Sequence, residues 1–221
     1  MTTILIARHG ESDWNRERRW QGHADRPLTE RGREQARILA ERLAHVELDA
    51  VYSSDLRRAR ETGQEVANRQ GLEVQAIREL REVDVGSWSG LTREEAEVRF
   101  PDGFRHWKAG FPGWKDGETY EAMAERVVGA VHRIAREHDG GRVLVVSHGG
   151  PIRALHAEAL GLDVHAYRRL RPVEPNARLS AVCHVDGQLT ELCPASDIDD
   201  LIARDQHERR EAAAQPPTPA G

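Results

Sequence analysis

Residues 142–150, Arg-Val-Leu-Val-Val-Ser-His-Gly-Gly, decide the fold. The apolar half of this stretch is continuous and rich in valine, which is typical of a strand buried on both faces of a parallel sheet. Polar residues follow directly at the carboxyl end of the strand, from Ser147 to Gly150. A helix is predicted next, at 151–160. This order predicts an α/β sheet that binds its ligand at the carboxyl edge.

The same alternation of strands and helices recurs along the chain. Five further strands are predicted at 3–7, 49–52, 73–77, 179–185 and 188–192. Three further helices are predicted at 29–43, 56–69 and 119–138. This pattern predicts a three-layer α/β/α fold, with an open, mostly parallel sheet and helices on both faces.

One domain is expected, at residues 1–204, because the chain shows no internal repeat and no interdomain linker. Within it, an insertion is expected at about 91–119. The segment 205–221 is charged and then rich in Ala, Gln and Pro, so a disordered tail is expected there.

The charge pattern excludes several classes of protein. The 221 residues include 32 basic and 37 acidic side chains, which leave a formal net charge of −5. A general nucleic-acid binder needs a basic face, so nucleic acid is not an expected partner. The apolar stretches are too short to span a membrane. Thirty of the basic residues are Arg and two are Lys, which is mostly a bias of composition. It remains to identify the few arginines that have a role in binding or catalysis.

The two cysteines do not predict a disulfide. They flank an Asp-Gly pair that favours a two-residue hairpin, with Cys183 opposite Thr190 and Cys193 opposite Ser180. The two sulfur atoms would then lie about 10 Å apart, which is too far to bridge. A reducing, cytoplasmic location is therefore expected, and the N-terminal residues do not resemble a signal peptide.

Histidines and arginines follow three of the predicted strands. His9 follows the first strand, and His148 follows the strand at 142–147. If these two strands are neighbours, the two imidazoles face each other at the carboxyl edge of the sheet. The strand at 49–52 is followed by Arg57 and Arg58, and it delivers one or both of these arginines to the same edge. Such a concentration of cationic and N–H donors, with a helix N-terminus beside it, predicts a site for a dianion such as phosphate.

The residues from Arg8 to Asn15, Arg-His-Gly-Glu-Ser-Asp-Trp-Asn, resemble the signature of the histidine phosphatase superfamily, also called the phosphoglycerate mutase-like family. Four further blocks resemble the family's blocks and follow in its order, and one of them selects Arg58 over Arg57. These blocks are Gln21-Gly22 with Asp25 and Pro27 to Ala36, then Ser53 to Thr62, then Leu80-Arg81-Glu82 with Gly86, Trp88 and Gly90, then Ser147 to Gly150 with Ile152-Arg153. One departure is Gly63, where the family usually has Ala.

The resemblance implies a ping-pong phosphoryl transfer through a phosphohistidine. His9 would be the nucleophile, neutral and held through its other ring nitrogen by a backbone carbonyl. Arg8, Arg58 and His148 would hold the phosphoryl oxygens and stabilise charge in the transition state. Glu82 would protonate the leaving oxygen and then take a proton from the attacking water.

The resemblance also implies what the site binds. The implied phosphate-binding residues are Arg8, Asn15, Gln21, Gly22, Arg58, His148 and Gly149. No metal or other cofactor is implied, because the arginines do the work of a cation. The implied partner is a small-molecule phosphomonoester, with no nucleic acid and no membrane, and the resemblance allows a homodimer.

Three functions are consistent with these blocks. The favoured one is a phosphatase, a phosphoric monoester hydrolase. The first alternative is a cofactor-dependent phosphoglycerate mutase, which usually has a longer insertion with an adjacent arginine pair; between Leu91 and Thr119 there is no such pair. The second is a catalytically silent binding module, which would typically lack one of the core residues. Here all of them are present.

The substrate is left open. Sugar phosphates, glucosyl-3-phosphoglycerate, phosphoserine and alpha-ribazole phosphate are all handled by similar proteins. Arg105, Arg153 and Arg168 are open candidates for contacts to the rest of the substrate.

The aromatic segment 100–114 is expected to form a short helix and an aromatic-lined loop, because Pro and Gly interrupt its helical spacing. Its side chains either form a lid that sets substrate size or fill a satellite core.

Overall fold

A computed structural model of the chain describes residues 1–193. The expected domain end at 204 and the expected tail at 205–221 lie outside the described residues.

The described part of the chain contains a six-stranded mixed sheet. Its strands are β1 (Thr2–Arg8), β2 (Ala50–Ser54), β3 (Val74–Ile77), β4 (Arg142–Ser147), β5 (Leu179–Val185) and β6 (Gln188–Cys193). The strand order is β3-β2-β4-β1-β5-β6. The first four strands in this order run parallel, whereas β5 pairs antiparallel with both β1 and β6. All six predicted strands are confirmed, and β4 lies within the parallel part, as its apolar sequence predicts.

Eight α-helices surround the sheet in the described residues. They are α1 (Asp13–Arg16), α2 (Glu30–Arg42), α3 (Arg57–Gln70), α4 (Arg93–Arg99), α5 (Pro101–Lys108), α6 (Tyr120–Glu137), α7 (Gly149–Ala159) and α8 (Val164–Leu170). The helices predicted at α2, α3, α6 and α7 are confirmed, as is the short helix α5 in the aromatic segment. No helix within residues 1–193 is long and apolar enough to cross a membrane.

The helix ends follow from local hydrogen bonding. Thr29, the predicted N-cap of α2, accepts a hydrogen bond from the backbone of the first turn, and Gly71 ends α3 in a left-handed conformation. The sequence did not predict α1, α4 and α8, which have four, seven and seven residues. Each of these begins at a side-chain cap: Ser12, Thr92 and Asp163, respectively. Helices this short depend on caps and packing more than on an apolar stripe.

Two hydrophobic clusters cover the two faces of the sheet. Alternate residues of β1 and β4 point into opposite clusters, as the period of a strand requires. One cluster joins Ile4, Ile6, Val143 and Val145 to side chains of α6 and α7. The other joins Leu5, Ala7, Leu144 and Val146 to side chains of α2 and α3. The three-layer α/β/α prediction is therefore confirmed.

The β5–β6 hairpin corrects one predicted register. Cys183 lies opposite Thr190 as predicted, but Cys193 lies opposite Ala181 rather than Ser180. A register shift directly after Ala181 is the reason, because a bulge sets two residues of one strand against one of the other. Cys183 is buried and free.

Candidate active site

The two sequence-predicted histidines meet at the carboxyl edge of the sheet. Since β1 and β4 are parallel neighbours, Arg8 pairs with Ser147, and the next residue on each strand is a histidine. The rings of His9 and His148 lie 5.0 Å apart, centroid to centroid, at an angle of 59°. The condition set by the sequence, that these strands are neighbours, is met.

The ring of His9 is held in one orientation. Its Nδ1 atom lies 2.7 Å from the carbonyl oxygen of Gly10, so this nitrogen carries the proton and donates it. The lone pair is then on Nε2, the nitrogen available for attack. Burial, and then the charges of Arg58 and Arg8, hold the pKa of His9 well below its usual value. The imidazole is therefore neutral at neutral pH, as a nucleophile must be.

A close crossing of two backbones shapes the turn after β1. A methyl group on Gly10 would overlap the carbonyl oxygen of Gly32, and one on Gly32 would overlap that of Glu11. The amide of Gly10 also donates to the hydroxyl of Thr62, 3.0 Å away on α3. Glycine at both positions allows the loop after β1 and the start of α2 to touch.

Arg58 is the arginine that α3 turns inward. It is fully buried, and its guanidinium donates to the carbonyl oxygens of Ala24 at 2.7 Å and Gly22 at 3.0 Å. Burial lowers the pKa of Arg58 to about 10, so it remains protonated at neutral pH. Its neighbour Arg57 instead pairs with Glu61 on the surface. The structure thus places at the site the arginine that the block resemblance selected.

Arg8 and His148 are the other two residues predicted to hold the phosphoryl oxygens. Arg8 donates to the carbonyl oxygen of Glu174 at 2.7 Å. His148 is fully buried, and neither of its ring nitrogens has a hydrogen-bond partner within residues 1–193. Burial, then the charges of Arg58 and its neighbours, keeps the pKa of His148 well below its usual value. A neutral imidazole with uncommitted nitrogens is suited to donate to a phosphoryl oxygen.

Glu82 reaches the site from the loop after β3. Its carboxylate accepts hydrogen bonds from the backbone of Gly150, at 3.0 and 3.3 Å, and from its neighbour Val83 at 3.0 Å. A methyl group on Gly150 would overlap the carboxylate, so glycine is what allows this contact. The carboxylate is therefore fixed at the N-terminus of α7, next to His148.

A partly buried ion pair supports the loop that carries Glu82. Arg126 on α6 donates at 2.7–2.8 Å to the carbonyl oxygens of Glu79, Arg81 and Glu82. The same guanidinium makes two contacts of 2.7 Å with the carboxylate of Glu118. Arg126 was not identified from the sequence, because an arginine on a long helix has the pattern of a solvated residue.

The remaining sequence-predicted residues surround the same cavity, of about 550 Å3. The cavity lining includes Arg8, His9, Asn15, Gln21, Gly22, Arg58, Glu82 and Gly149. The amide oxygen of Asn15 accepts from the backbone of Ser12 at 3.0 Å, which leaves its NH2 group as the donating end. The amide oxygen of Gln21 accepts from the hydroxyl of Ser12 at 2.7 Å, with the same consequence.

The aromatic segment contributes to both the cavity and the core. Trp107 and Trp114 line the cavity together with Trp20 and Tyr120. Trp114 and Tyr120 are also buried members of the hydrophobic cluster on the α6 side of the sheet, as is Phe104. The lid and satellite-core alternatives are therefore not exclusive in this segment. No sequence pattern pointed to Trp20 or Tyr120.

Of the three arginines left open as substrate contacts, two lie at the cavity and one does not. Arg153 and Arg168 line the cavity. Arg105 pairs with Asp102 on the surface, with 74% of its side chain exposed, and is not among the residues that line it. Within residues 1–193, no group of three or more His, Cys, Asp or Glu side chains is arranged to hold a metal ion.

Known proteins resemble the chain over nearly all of the described residues. The family model of the histidine phosphatase superfamily (branch 1) matches residues 4–193. Phosphoserine phosphatase 1 of Hydrogenobacter thermophilus is 38% identical over 172 residues, which are 76% of this chain and 80% of that protein. A probable phosphoglycerate mutase, GpmB of Photorhabdus laumondii, is 37% identical over 178 residues, 77% of this chain and 80% of that protein.

A solved structure shares the fold. A mycobacterial glucosyl-3-phosphoglycerate phosphatase, solved in complex with VO3, superimposes with a TM-score of 0.76 at 32% identity. The alignment covers 85% of this chain and 95% of that one.

Proposed function

The chain belongs to the histidine phosphatase superfamily, and from this membership and the geometry of the site we propose that His9 takes a phosphoryl group from a small phosphorylated metabolite. The protein is a phosphoric monoester hydrolase. The observation that carries the assignment of His9 is its Nδ1–H bond to Gly10, which leaves Nε2 as a neutral nucleophile beside two arginines.

In the first step, Nε2 of His9 attacks phosphorus in line and the P–N bond forms as the P–O bond to the alcohol breaks. Arg8, Arg58 and His148 stabilise the charge on the phosphoryl oxygens. Glu82, in its protonated form, gives its proton to the leaving oxygen. The alcohol leaves, and His9 remains phosphorylated.

In the second step, water attacks the phosphohistidine. Glu82 is now a carboxylate and takes a proton from this water. The new P–O bond forms as the P–N bond breaks, inorganic phosphate leaves, and His9 returns to its neutral form. The substitution Glu82→Gln is expected to slow turnover about 10²–10⁴-fold, which is the usual contribution of a positioned acid or base.

The mutase alternative is weaker, although a probable mutase is among the relatives. The Leu80-Arg81-Glu82 block favours the phosphatase branch, as does the short insertion at 91–119. Arg168 and Arg169 are nevertheless an adjacent pair that lines the cavity from α8, outside that insertion. Product analysis with 3-phosphoglycerate decides between the two: a hydrolase releases inorganic phosphate, whereas a mutase yields 2-phosphoglycerate.

The test of the proposed function is acid-quench labelling with a 32P-phosphomonoester. Wild-type protein is expected to hold acid-labile label on His9, and His9→Gln is expected to hold none. His45→Gln is the matched control, because His45 is exposed and lies outside the site. Absence of label in the wild type, or label that persists in His9→Gln, would reject the proposed nucleophile.

The substrate is to be found by measuring released phosphate over a panel. The relatives' names suggest phosphoserine and glucosyl-3-phosphoglycerate as members of that panel. Other sugar phosphates and alpha-ribazole phosphate complete it.

We also propose a cytoplasmic location and a homodimer. The location is supported by the buried, unbridged thiol of Cys183, and the dimer rests on family resemblance alone. Cell fractionation and light scattering test the two proposals separately.

A further inference from the structure

The charges that line the cavity are far from balanced. Among residues 1–193, eight arginine and lysine side chains line it, against one carboxylate, that of Glu82. The chain as a whole is acidic, with a net charge of −5, so this concentration is local. A phosphoryl group held by Arg8 and Arg58 accounts for two of the eight.

Two of the other six cations already have carboxylate partners. Arg19 pairs with Glu95 at 2.9 Å, and Lys108 pairs with Glu97 at 3.1 Å. Both pairs lie at the exposed rim. Neither Arg153 nor Arg168 forms an ion pair within residues 1–193, and each is partly buried. The other two cations of the lining, Arg93 and Arg169, are exposed.

Both of these arginines are held in place without a counter-ion from the described residues. Arg153, on α7, donates to the carbonyl oxygen of Arg171 at 3.0 Å. The guanidinium of Arg168, on α8, lies over the ring of Tyr120, 3.7 Å from its centroid. In each, the buried Nε atom has no hydrogen-bond partner in the described part of the chain.

The surroundings of Arg153 disfavour its charged form. Burial, and then the charge of Arg168, lower the pKa of Arg153 to about 10, against the opposing pull of Glu82. Tyr120 and Tyr167 are the other titratable groups that act on it. Partly buried guanidiniums with free donors and no carboxylate partner are stabilised by an anionic ligand.

We propose that Arg153 and Arg168 form a second anion subsite that takes a carboxylate of the substrate. The substrate class is then a phosphomonoester with a carboxylate on the alcohol side, whose body packs against Tyr120 and Trp107. This inference rests on the proposed function, in which Arg8 holds the phosphoryl group. A cavity of about 550 Å3 is within the range of about 300–1,000 Å3 that holds ligands larger than a three-carbon acid.

The test is the binding of three phosphonates, which have a C–P bond that the reaction does not cleave. They are benzylphosphonate, 4-(phosphonomethyl)benzoate and 1,4-xylylenediphosphonate. The carboxylate compound is expected to bind wild-type protein about 10–100-fold more tightly than benzylphosphonate, as measured by calorimetry. That preference is expected to fall below about threefold in Arg153→Gln and in Arg168→Gln. The matched control Arg105→Gln, on the surface, is expected to keep it.

Three results would overturn the inference. One is equal affinity of wild-type protein for the carboxylate and the unsubstituted compound. Another is a preference that survives in both Arg153→Gln and Arg168→Gln. The third is tighter binding of the diphosphonate than of the carboxylate, which would make the second group a phosphate.

Failure of the inference can be told apart from failure of the proposed function. Hydrolysis of phenyl phosphate by the wild type, with label on His9, tests only the proposed function. If phenyl phosphate is hydrolysed without any carboxylate preference in binding, the subsite is wrong and the hydrolase stands. If the carboxylate is preferred but no phosphohistidine forms, the subsite stands and His9 is not the nucleophile.

Discussion

Replacing Gly63 with Ala is expected to stabilise the protein. Gly63 lies in α3 and faces the sheet, where a methyl group would meet Ser53 Cβ at 3.5 Å, Val146 Cγ2 at 3.6 Å and Val51 Cγ1 at 3.7 Å. These are ordinary van der Waals distances, so nothing needs to move. Alanine gains about 0.8–1 kcal/mol over glycine inside a helix, and a buried methyl group adds about 0.8 kcal/mol. The sum of about 1.6–1.8 kcal/mol corresponds to a rise in Tm of about 3–7 °C.

Calorimetric melting of Gly63→Ala and of a matched control, Gly129→Ala, separates the two contributions. Gly129 lies in α6, and a methyl group there would meet nothing within 4 Å. It should therefore gain only the helix contribution, about half of the effect at Gly63. Turnover should be unchanged in both variants, since neither position lines the cavity. If Gly63→Ala is no more stable than Gly129→Ala, or is less stable than wild type, the packing argument fails.

Three further predictions concern pH, the loop that carries Glu82, and the aromatic wall. Burial lowers the pKa of three buried histidines, His9, His148 and His156. Below pH 6.5 the unfolded chain therefore binds more protons than the folded chain. The free energy of unfolding should fall with falling pH, by up to about 1.4 kcal/mol per pH unit for each histidine. Urea midpoints between pH 5 and 8 measure this, and a flat profile would contradict it. Arg126→Met removes three hydrogen bonds to the loop that carries Glu82 and should lower kcat about tenfold with little change in KM; a change in KM alone would contradict a positioning role. Trp107→Ala should extend the substrate profile to bulkier phosphomonoesters, and an unchanged profile would argue that Trp107 only fills the core.

Much of the fold was predictable because its signals are local. The valine-rich strand at 142–147 indicates a buried parallel strand by composition alone, and the order of strands and helices indicates the layers. The positions of His9 and His148 follow directly, because each is the residue after a strand. Whether the two histidines lie close together depends on the order of the strands in the sheet. The hydrophobic periodicity of the sequence does not give that order. The structure gives it, because β1 pairs in parallel with β4.

Other features depend on contacts between distant parts of the chain. A bulge after Ala181 moved the partner of Cys193 by one residue, and no local pattern marks it. Arg126 is read from sequence as a surface residue, yet it lies under the loop of Glu82 because α6 packs there. Arg105 and Arg153 are both open candidates from the sequence; the placement of their helices separates a surface arginine from one in the cavity.

Arg153 and Arg168, which have no counter-ion within residues 1–193, make thermal stability a measure of substrate binding. An oxyanion that fills the cavity binds the folded chain and not the unfolded one, so it raises the melting temperature by mass action. At 100 times its Kd the gain is about 2.7 kcal/mol, or about 5–11 °C for a domain of this size. A library of phosphorylated acids could therefore be ranked by thermal shift, on a His9→Gln protein that turns nothing over. Phosphate and sulfate buffers would mask the same signal, since each is itself a tetrahedral anion.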